Sequence, residues 1–171
     1  MPLKINLGCG NQKAEGVIGV DRNADLKPDV VHDLEITPLP FTPLSVDLVY
    51  ARQVFEHIHN FVPLMIDIHR ILTYGGKLIA SVPLFPCRAS IADPDHVRLF
   101  VPETFAMFTD PFEFTLFRGK GLFAIEDCRI GKHPSTRPED KDGDFFTEMI
   151  TTLVKVKWLS KGVSEPKVSQ P

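Results

Sequence analysis

The chain alternates between short apolar segments and clusters of glycine, proline and aspartate, a pattern that favours short β-strands separated by turns. The predicted strands span residues 3–7, 17–20, 29–32, 46–50, 77–83, 122–130 and 152–158. Residues 17–20 and 78–80 are apolar at successive positions. Such runs are typical of strands that are buried on both faces of a parallel sheet, which predicts helices on both sides of it.

A segment with helical periodicity lies between the fourth and fifth predicted strands. The apolar residues at this spacing are Phe61, Leu64, Met65, Ile68, Ile71 and Leu72. Gly75 and Gly76 supply a stop signal for this helix. A second, shorter helix is predicted to begin at Pro102, because proline is favoured in the first turn of a helix.

The last predicted strand alternates, unlike the earlier ones. Val154, Val156 and Trp158 share one face, and Leu153, Lys155 and Lys157 share the other. This alternation indicates an antiparallel or edge strand. Together the segments predict an α/β fold with a doubly wound, mostly parallel seven-stranded sheet, in which ligands bind beyond the carboxyl ends of the strands.

Three successive strand ends carry groups suited to a nucleoside. Gly8-Cys9-Gly10 follows the first strand, where glycine lets the backbone approach a ligand closely. Asp21 follows the second strand, and its carboxylate can accept both hydroxyl hydrogens of a ribose. Asp33-Leu34 follows the third, offering an acceptor for the adenine amino group and an apolar side chain for the ring.

A dinucleotide is the alternative ligand, but the fingerprint for it requires a third glycine or alanine where Lys13 stands. Only six residues separate Gly10 from Val17, which is too short for a full helix and its loop. We therefore predict a shortened first helix, and a ligand without a pyrophosphate does not need that helix terminus.

The ordered series of these motifs resembles the class I S-adenosylmethionine-dependent methyltransferases, in particular the type 11 methyltransferase domains. The resemblance runs from about Lys4 to Phe105. Its motifs are the glycine turn at residues 7–10, Gly-Val-Asp at 19–21, Asp-Leu at 33–34, Pro-Leu-Pro-Phe at 38–41, the segment 45–50, Phe-Glu-His at 55–57, and the segment 68–72 before the double glycine.

The resemblance implies S-adenosylmethionine as the cofactor. In this family the glycine turn lies beside the methionine part, the acids after the second and third strands bind ribose and adenine, and the segment after the fourth strand closes over the site. The residues expected to bind the cofactor are Leu7, Gly8, Cys9, Gly10, Asp21, Arg22, Asp33, Leu34, Ala51 and Arg52. Asn6 departs from the family, which most often has an acid at that position.

Methyl transfer needs a positioned acceptor, and it needs a general base only when the acceptor must lose a proton. His57, Asp95 and His96 follow the fourth and fifth strands and are the candidates for acceptor contacts or a base. The same segments show no diagnostic ligand spacing, so no metal ligand is predicted. A cluster of phenylalanines follows the predicted helix start at Pro102, and these residues are expected either to pack in the core or to wall an acceptor pocket. They are Phe105, Phe108, Phe112, Phe114 and Phe117.

Composition narrows the substrate and the location. The 171 residues fit one domain at 1–159 with a flexible polar tail at 160–171, and no apolar run is long enough to span a bilayer. The net charge of −3 makes a nucleic-acid partner unlikely and favours a small molecule or saccharide. The absence of a signal-peptide pattern and of paired cysteines predicts a cytoplasmic protein of unknown oligomeric state.

The expected activity is methyl transfer to an oxygen or nitrogen atom of that small molecule or saccharide. A non-catalytic module that binds S-adenosylmethionine or a partner is the alternative, suggested by the shortened helix and by Asn6. Methylation of a macromolecule is a third possibility, supported only by the basic residues Lys155, Lys157 and Lys161.

Overall fold

The computed structural model describes residues 2–12, 14–109, 121–133 and 146–156. The strands are β1 (Lys4–Leu7), β2 (Ile18–Asp21), β3 (Val30–Val31), β4 (Val46–Arg52), β5 (Leu72–Pro83), β6 (Phe123–His133) and β7 (Phe146–Lys155). The α-helices are α1 (Phe61–Ile71), α2 (Arg88–Ala92) and α3 (Pro102–Ala106), and single 3₁₀ turns occupy Ala24–Leu26 and Phe55–His57.

The strands form one seven-stranded sheet in the order β3-β2-β1-β4-β5-β7-β6. The five strands β1 to β5 run parallel, whereas β7 is antiparallel to both of its neighbours. The predicted mostly parallel α/β sheet is therefore confirmed. The last strand is antiparallel as expected, but it lies inside the sheet, and β6 forms the edge.

The described residues between β1 and β2 form turns and no helix, which confirms the predicted shortening of the first helix. No α-helix occurs in the described residues between β1 and β4. The expected burial on both faces holds along only part of the strands, where Ser81, Val82 and Pro83 are buried at successive positions. Leu78 and Ala80 are buried on one face of β5, while Ile79, which points to the other face, is only partly covered.

Helix α1 packs its apolar face into the core, but it ends earlier than the double glycine suggested. Leu72 is already extended and pairs with Val46 of β4. The Nζ of Lys155 donates to the carbonyls of His69 and Leu72 at 2.7 and 2.9 Å, which satisfies acceptors that the helix end leaves open. The helix therefore stops because β4 supplies a pairing partner and β7 supplies a cap.

The two faces of β7 differ in burial, as its alternation predicted. Leu153 and Lys155 are buried, whereas Val154 and Val156 are partly exposed. Because Lys155 is buried, it does not support the third possibility, methylation of a macromolecule. The predicted residues Phe112, Phe114, Phe117, Lys157, Trp158 and Lys161 and the tail at 160–171 lie outside the described residues.

A cluster of aromatic rings fills the core beside α1. Phe61 contacts Phe55, Phe100, Phe105 and Phe108 with ring centroids 5.2 to 6.3 Å apart. All five rings are buried, so Phe105 and Phe108 serve core packing.

Arg70 ties the segment before β4 to helix α1. Its guanidinium donates to the carbonyls of Leu39 and Phe41 at 3.0 and 2.9 Å and to the carboxylate of Asp67. Asp67 in turn accepts from the backbone N–H of Leu39 at 2.7 Å. The hydrogen bond to Asp67 raises the pKa of Arg70 above its usual value.

No helix among the described residues is long and apolar enough to cross a membrane.

Candidate functional site

The turn after β1 is built on two glycines with left-handed backbone. Gly8 has φ +61° and Gly10 has φ +51°, a region that residues with a side chain rarely adopt. A Cβ at Gly8 would lie 2.5 Å from Cγ2 of Val54, whereas one at Gly10 would meet no atom within 4 Å. Gly8 is therefore required both by its backbone angle and by the close approach of the β4 end.

Asp21 is oriented by the same turn. Its Oδ2 accepts the backbone N–H of Gly10 at 2.9 Å, and its Oδ1 accepts that of Asn23 at 2.9 Å. Two amides thus hold the carboxylate at the carboxyl end of β2. Its remaining acceptor positions are available to a pair of hydroxyl groups, because an ionised carboxylate can accept about four hydrogen bonds.

The segment after β3 brings a second acidic group and an apolar wall to the same place. Asp33 is partly exposed and accepts the N–H of Glu35 at 3.0 Å, while the neighbouring Leu34 is buried. Glu35 accepts the backbone N–H groups of His59 and Asn60 at 2.8 and 2.9 Å. Burial raises the pKa of Glu35, but these hydrogen bonds outweigh that effect and hold it below its usual value.

The end of β4 closes the opposite side. Gln53 has φ +53° and is fixed by two bonds to Ser81 of β5, one from its N–H to the carbonyl at 2.8 Å and one from Nε2 to Oγ at 3.1 Å. The hydroxyl of Ser81 donates to the buried carboxylate of Glu148 on β7. Three adjacent strands therefore fix the conformation of the loop that follows β4.

These strand ends enclose one crevice of about 920 Å³. That volume lies in the range typical of small-molecule sites. The predicted site residues that line it are Gly8, Asp21, Arg22, Asp33, Leu34, His57 and Asp95. Four carboxylates and only one guanidinium line this crevice, so its charge suits a ligand that carries positive groups.

Six predicted site residues are not among those that line the crevice. Leu7, Cys9 and Ala51 are buried in the core, Arg52 is exposed, Gly10 contributes its N–H to Asp21, and His96 lies behind His57. Sequence reasoning missed other lining residues, which include His32, Glu35, Gln53, Val54, Ile58, His59, Pro94 and Val97. Gln53 and Val54 directly follow the predicted pair Ala51 and Arg52, so the strand end was placed slightly too early.

The loop after β5 reaches the crevice through contacts with the 3₁₀ turn at Phe55–His57. The N–H of Val97 donates to the carbonyl of Glu56 at 2.8 Å, and Nδ1 of His57 lies 3.2 Å from the carbonyl of Asp95. The rings of His57 and His96 meet edge to face with centroids 4.8 Å apart. The three predicted acceptor or base residues, His57, Asp95 and His96, are thus neighbours.

Glu56 lies beneath these histidines and is almost fully buried. Burial, together with the nearby carboxylates of Asp93 and Glu148, raises its pKa to about 7. The backbone N–H of Glu56 itself partly offsets this increase in pKa, although it is not aligned to form a hydrogen bond with the carboxylate. Perturbed acids beside a crevice are frequent at functional sites.

Comparison with known proteins agrees with this geometry. Residues 6–80 match the family described as Methyltransferase domain. No curated protein matches the sequence. A putative methyltransferase from Bacillus halodurans has a similar structure with a TM-score of 0.63, at 15% identity, over 90% of this chain and 92% of that one.

Two further solved structures share the fold. An S-adenosylmethionine-dependent methyltransferase from Mesorhizobium loti has a TM-score of 0.60 at 19% identity, covering 90% of this chain and 91% of its own. A 16S rRNA (adenine(1408)-N(1))-methyltransferase mutant from Catenulisporales acidiphilia, solved with its cosubstrate S-adenosylmethionine, has a TM-score of 0.59 at 12% identity, covering 94% and 88%. Residues 6–80 therefore match a methyltransferase domain family, and the fold is similar to that of solved S-adenosylmethionine-dependent methyltransferases.

Proposed function

We propose that this protein transfers the methyl group of S-adenosylmethionine to an oxygen or nitrogen atom of a small molecule or saccharide. The observation that carries the proposal is that Gly8, Asp21, Asp33 and Leu34, which come from three neighbouring strand ends, line one crevice. The acidic lining and the net charge of −3 favour a neutral or cationic acceptor over a polyanion.

Each group in the crevice has a proposed part in holding the cofactor. Asp21 binds the ribose hydroxyls, because two backbone amides already fix its carboxylate. Asp33 accepts from the adenine amino group, and Leu34 packs against the ring. Gly8 lets the chain approach the methionine part, since a side chain there would compete for space with Val54.

The acceptor is proposed to meet the cofactor on the side of the loop after β5. When bound, S-adenosylmethionine supplies a methyl group on a positively charged sulfur, which keeps the electron pair of the broken carbon–sulfur bond. A hydroxyl acceptor must also lose its proton, and His57, Asp95 and His96 orient the acceptor or take that proton. His57 is the best placed of the three, because it lines the crevice and is held by Asp95.

Calorimetry with S-adenosylhomocysteine tests the cofactor assignment. We expect Asp21→Asn to weaken binding about ten- to a hundredfold with the fold retained, because a hydrogen bond to a charged group is worth about 1.5–3 kcal/mol. Asp25→Asn is the matched control, since Asp25 is exposed and does not line the crevice. Equal affinity of both variants and the parent protein would refute the ribose assignment.

A turnover assay with methyl-labelled S-adenosylmethionine tests the activity itself. Hydroxylated and amino compounds, including saccharides, serve as acceptors, and we expect label in at least one product. His57→Gln should reduce the rate while cofactor affinity changes little. Label that appears only in a macromolecule would contradict the proposed acceptor class.

A non-catalytic module that binds the cofactor or a partner is the second candidate. The absence of an α-helix from the described residues between β1 and β4 favours it, because less structure covers the cofactor side of the sheet. This candidate predicts cofactor binding without turnover of any acceptor, and a single labelled product would eliminate it.

A further inference from the structure

Three side chains converge where the 3₁₀ turn after β4 meets the loop after β5. One ligand-capable atom from each of Glu56, His57 and His96 lies within 4.8 Å of the other two. Glu56 and His57 are adjacent in the turn, while His96 comes from a loop about forty residues further along the chain. The fold, rather than local sequence spacing, brings these groups together.

The carboxylate of Glu56 has no partner to explain its burial. The residue is 1% exposed, and neither carboxylate oxygen has a hydrogen-bond partner within the described part of the chain. A buried carboxylate without donors costs several kcal/mol if it is ionised, so such groups are normally paired or coordinate a metal. Both oxygens of Glu56 therefore have acceptor positions that a cation could use.

Both histidines are held in the orientation that metal ligands adopt. Nδ1 of His57 lies 3.2 Å from the carbonyl of Asp95, and Nδ1 of His96 lies 3.3 Å from that of Ser90. A carbonyl can only accept, so each Nδ1 donates, and in the neutral imidazole Nε2 is then the nitrogen that can bind a metal. Histidine ligands commonly donate their second ring N–H to a backbone carbonyl in this way.

We propose that Glu56, His57 and His96 form a binding site for one divalent first-row transition metal ion. Two imidazoles and one carboxylate are a ligand set used for zinc and for non-haem iron, and three protein ligands leave positions open. Ligand atoms about 2.0–2.2 Å from such an ion lie roughly 3–3.5 Å apart. The present spread of up to 4.8 Å would have to close to that value by side-chain rotation when the ion binds.

The surrounding charge favours a cation at this point. Asp93 Oδ2 lies 3.7 Å from Nε2 of His96, which is too long for a hydrogen bond, and the carboxylate of Glu148 is close enough to act on Glu56. A bound ion would relieve the repulsion among these acids. His57 also lines the cofactor crevice, so the ion would lie at its wall.

Cobalt(II) titration of the untagged chain, stripped of metal with a chelator, tests the site without using catalysis. We expect saturable visible absorption at one ion per chain. Glu56→Gln and His96→Gln should each weaken binding at least about tenfold, which is the loss found even for residues that only support metal ligands. His59→Gln is the matched control, because the His59 side chain is 77% exposed and lies outside the cluster.

Cobalt bound at this cluster is distinguishable from cobalt bound by cysteine. Cys9, Cys87 and Cys128 form no disulfide, and binding through them would produce a thiolate-to-metal band in the near ultraviolet. The proposal would be overturned by that band or by the absence of saturable binding. It would also be overturned if a folded Glu56→Gln or His96→Gln chain bound cobalt with the affinity of the parent protein. Circular dichroism verifies folding, and His96→Gln suffices if Glu56→Gln unfolds. Cofactor binding is measured separately without metal, so its failure would not affect this result.

Discussion

Replacing Gly8 with alanine tests the packing between the glycine turn and the end of β4. Gly8 and Gly10 both have left-handed backbone, so Gly8→Ala and Gly10→Ala incur a similar strain of about 1–2 kcal/mol. Both substitutions also reduce the conformational entropy of the unfolded chain, which stabilises the folded state by about 0.4–1 kcal/mol in each variant. These two contributions cancel when the variants are compared.

The difference between the variants therefore reports the contact with Val54. A Cβ at Gly8 would lie 2.5 Å from Cγ2 of Val54 and 3.4 Å from its Cγ1, and Val54 is a stiff, β-branched, buried side chain. Overpacking of this kind costs about 1–3 kcal/mol. The added methyl at Gly10 meets no atom within 4 Å and has no such cost.

Urea unfolding followed by circular dichroism measures the difference. We expect Gly8→Ala to have a free energy of unfolding about 1–3 kcal/mol below that of Gly10→Ala, with similar m-values. In the double variant Gly8→Ala, Val54→Ala, most of the extra loss should disappear, because the second change removes the clashing atoms. Equal stability of the two single variants would refute the close approach of the strand ends.

Three further changes test long-range contacts of the fold by the same unfolding measurement. Arg70→Lys should lower the free energy of unfolding by about 1–3 kcal/mol, because an ammonium group cannot reach both carbonyls and the carboxylate; an unchanged value would contradict this. Lys155→Met should cost about 1–3 kcal/mol by leaving the carbonyls of His69 and Leu72 unsatisfied, and parental stability would argue against the cap. Burial, with the charge of Lys155, lowers the pKa of His69 from 6.5 to about 4. As the pH falls, the His69 imidazole is therefore protonated in the unfolded chain before it is protonated in the folded chain. The contribution of neutral His69 to the free energy of unfolding is complete above pH 6.5 and falls by about 1–2 kcal/mol toward pH 4. His69→Leu should abolish this part of the acid dependence. Identical dependence of stability on pH in the variant and the parent protein would contradict the assignment.

Much of the crevice could be predicted because its features are local. The glycines after β1 and the aspartates after β2 and β3 mark strand ends directly in the sequence, and parallel strands bring those ends to one edge. The predicted residues Gly8, Asp21 and Asp33 accordingly line the same cavity.

The remainder depends on contacts between residues that are distant in the chain. The end of α1 is set by Lys155, which is 86 residues from the carbonyl of His69 that it binds. Glu35 was missed because its role is to hold backbone groups 24 and 25 residues away. The cluster of Glu56 and His96 has no recognisable spacing, since a turn and a separate loop form it.

A crystal structure of the protein with S-adenosylhomocysteine tests the central claim most directly. We predict the ribose hydroxyls within hydrogen-bond distance of the Asp21 carboxylate, with the adenine between Asp33 and Leu34 and the amino-acid part beside Gly8. A ligand bound outside this crevice, or a ribose that makes no contact with Asp21, would contradict it.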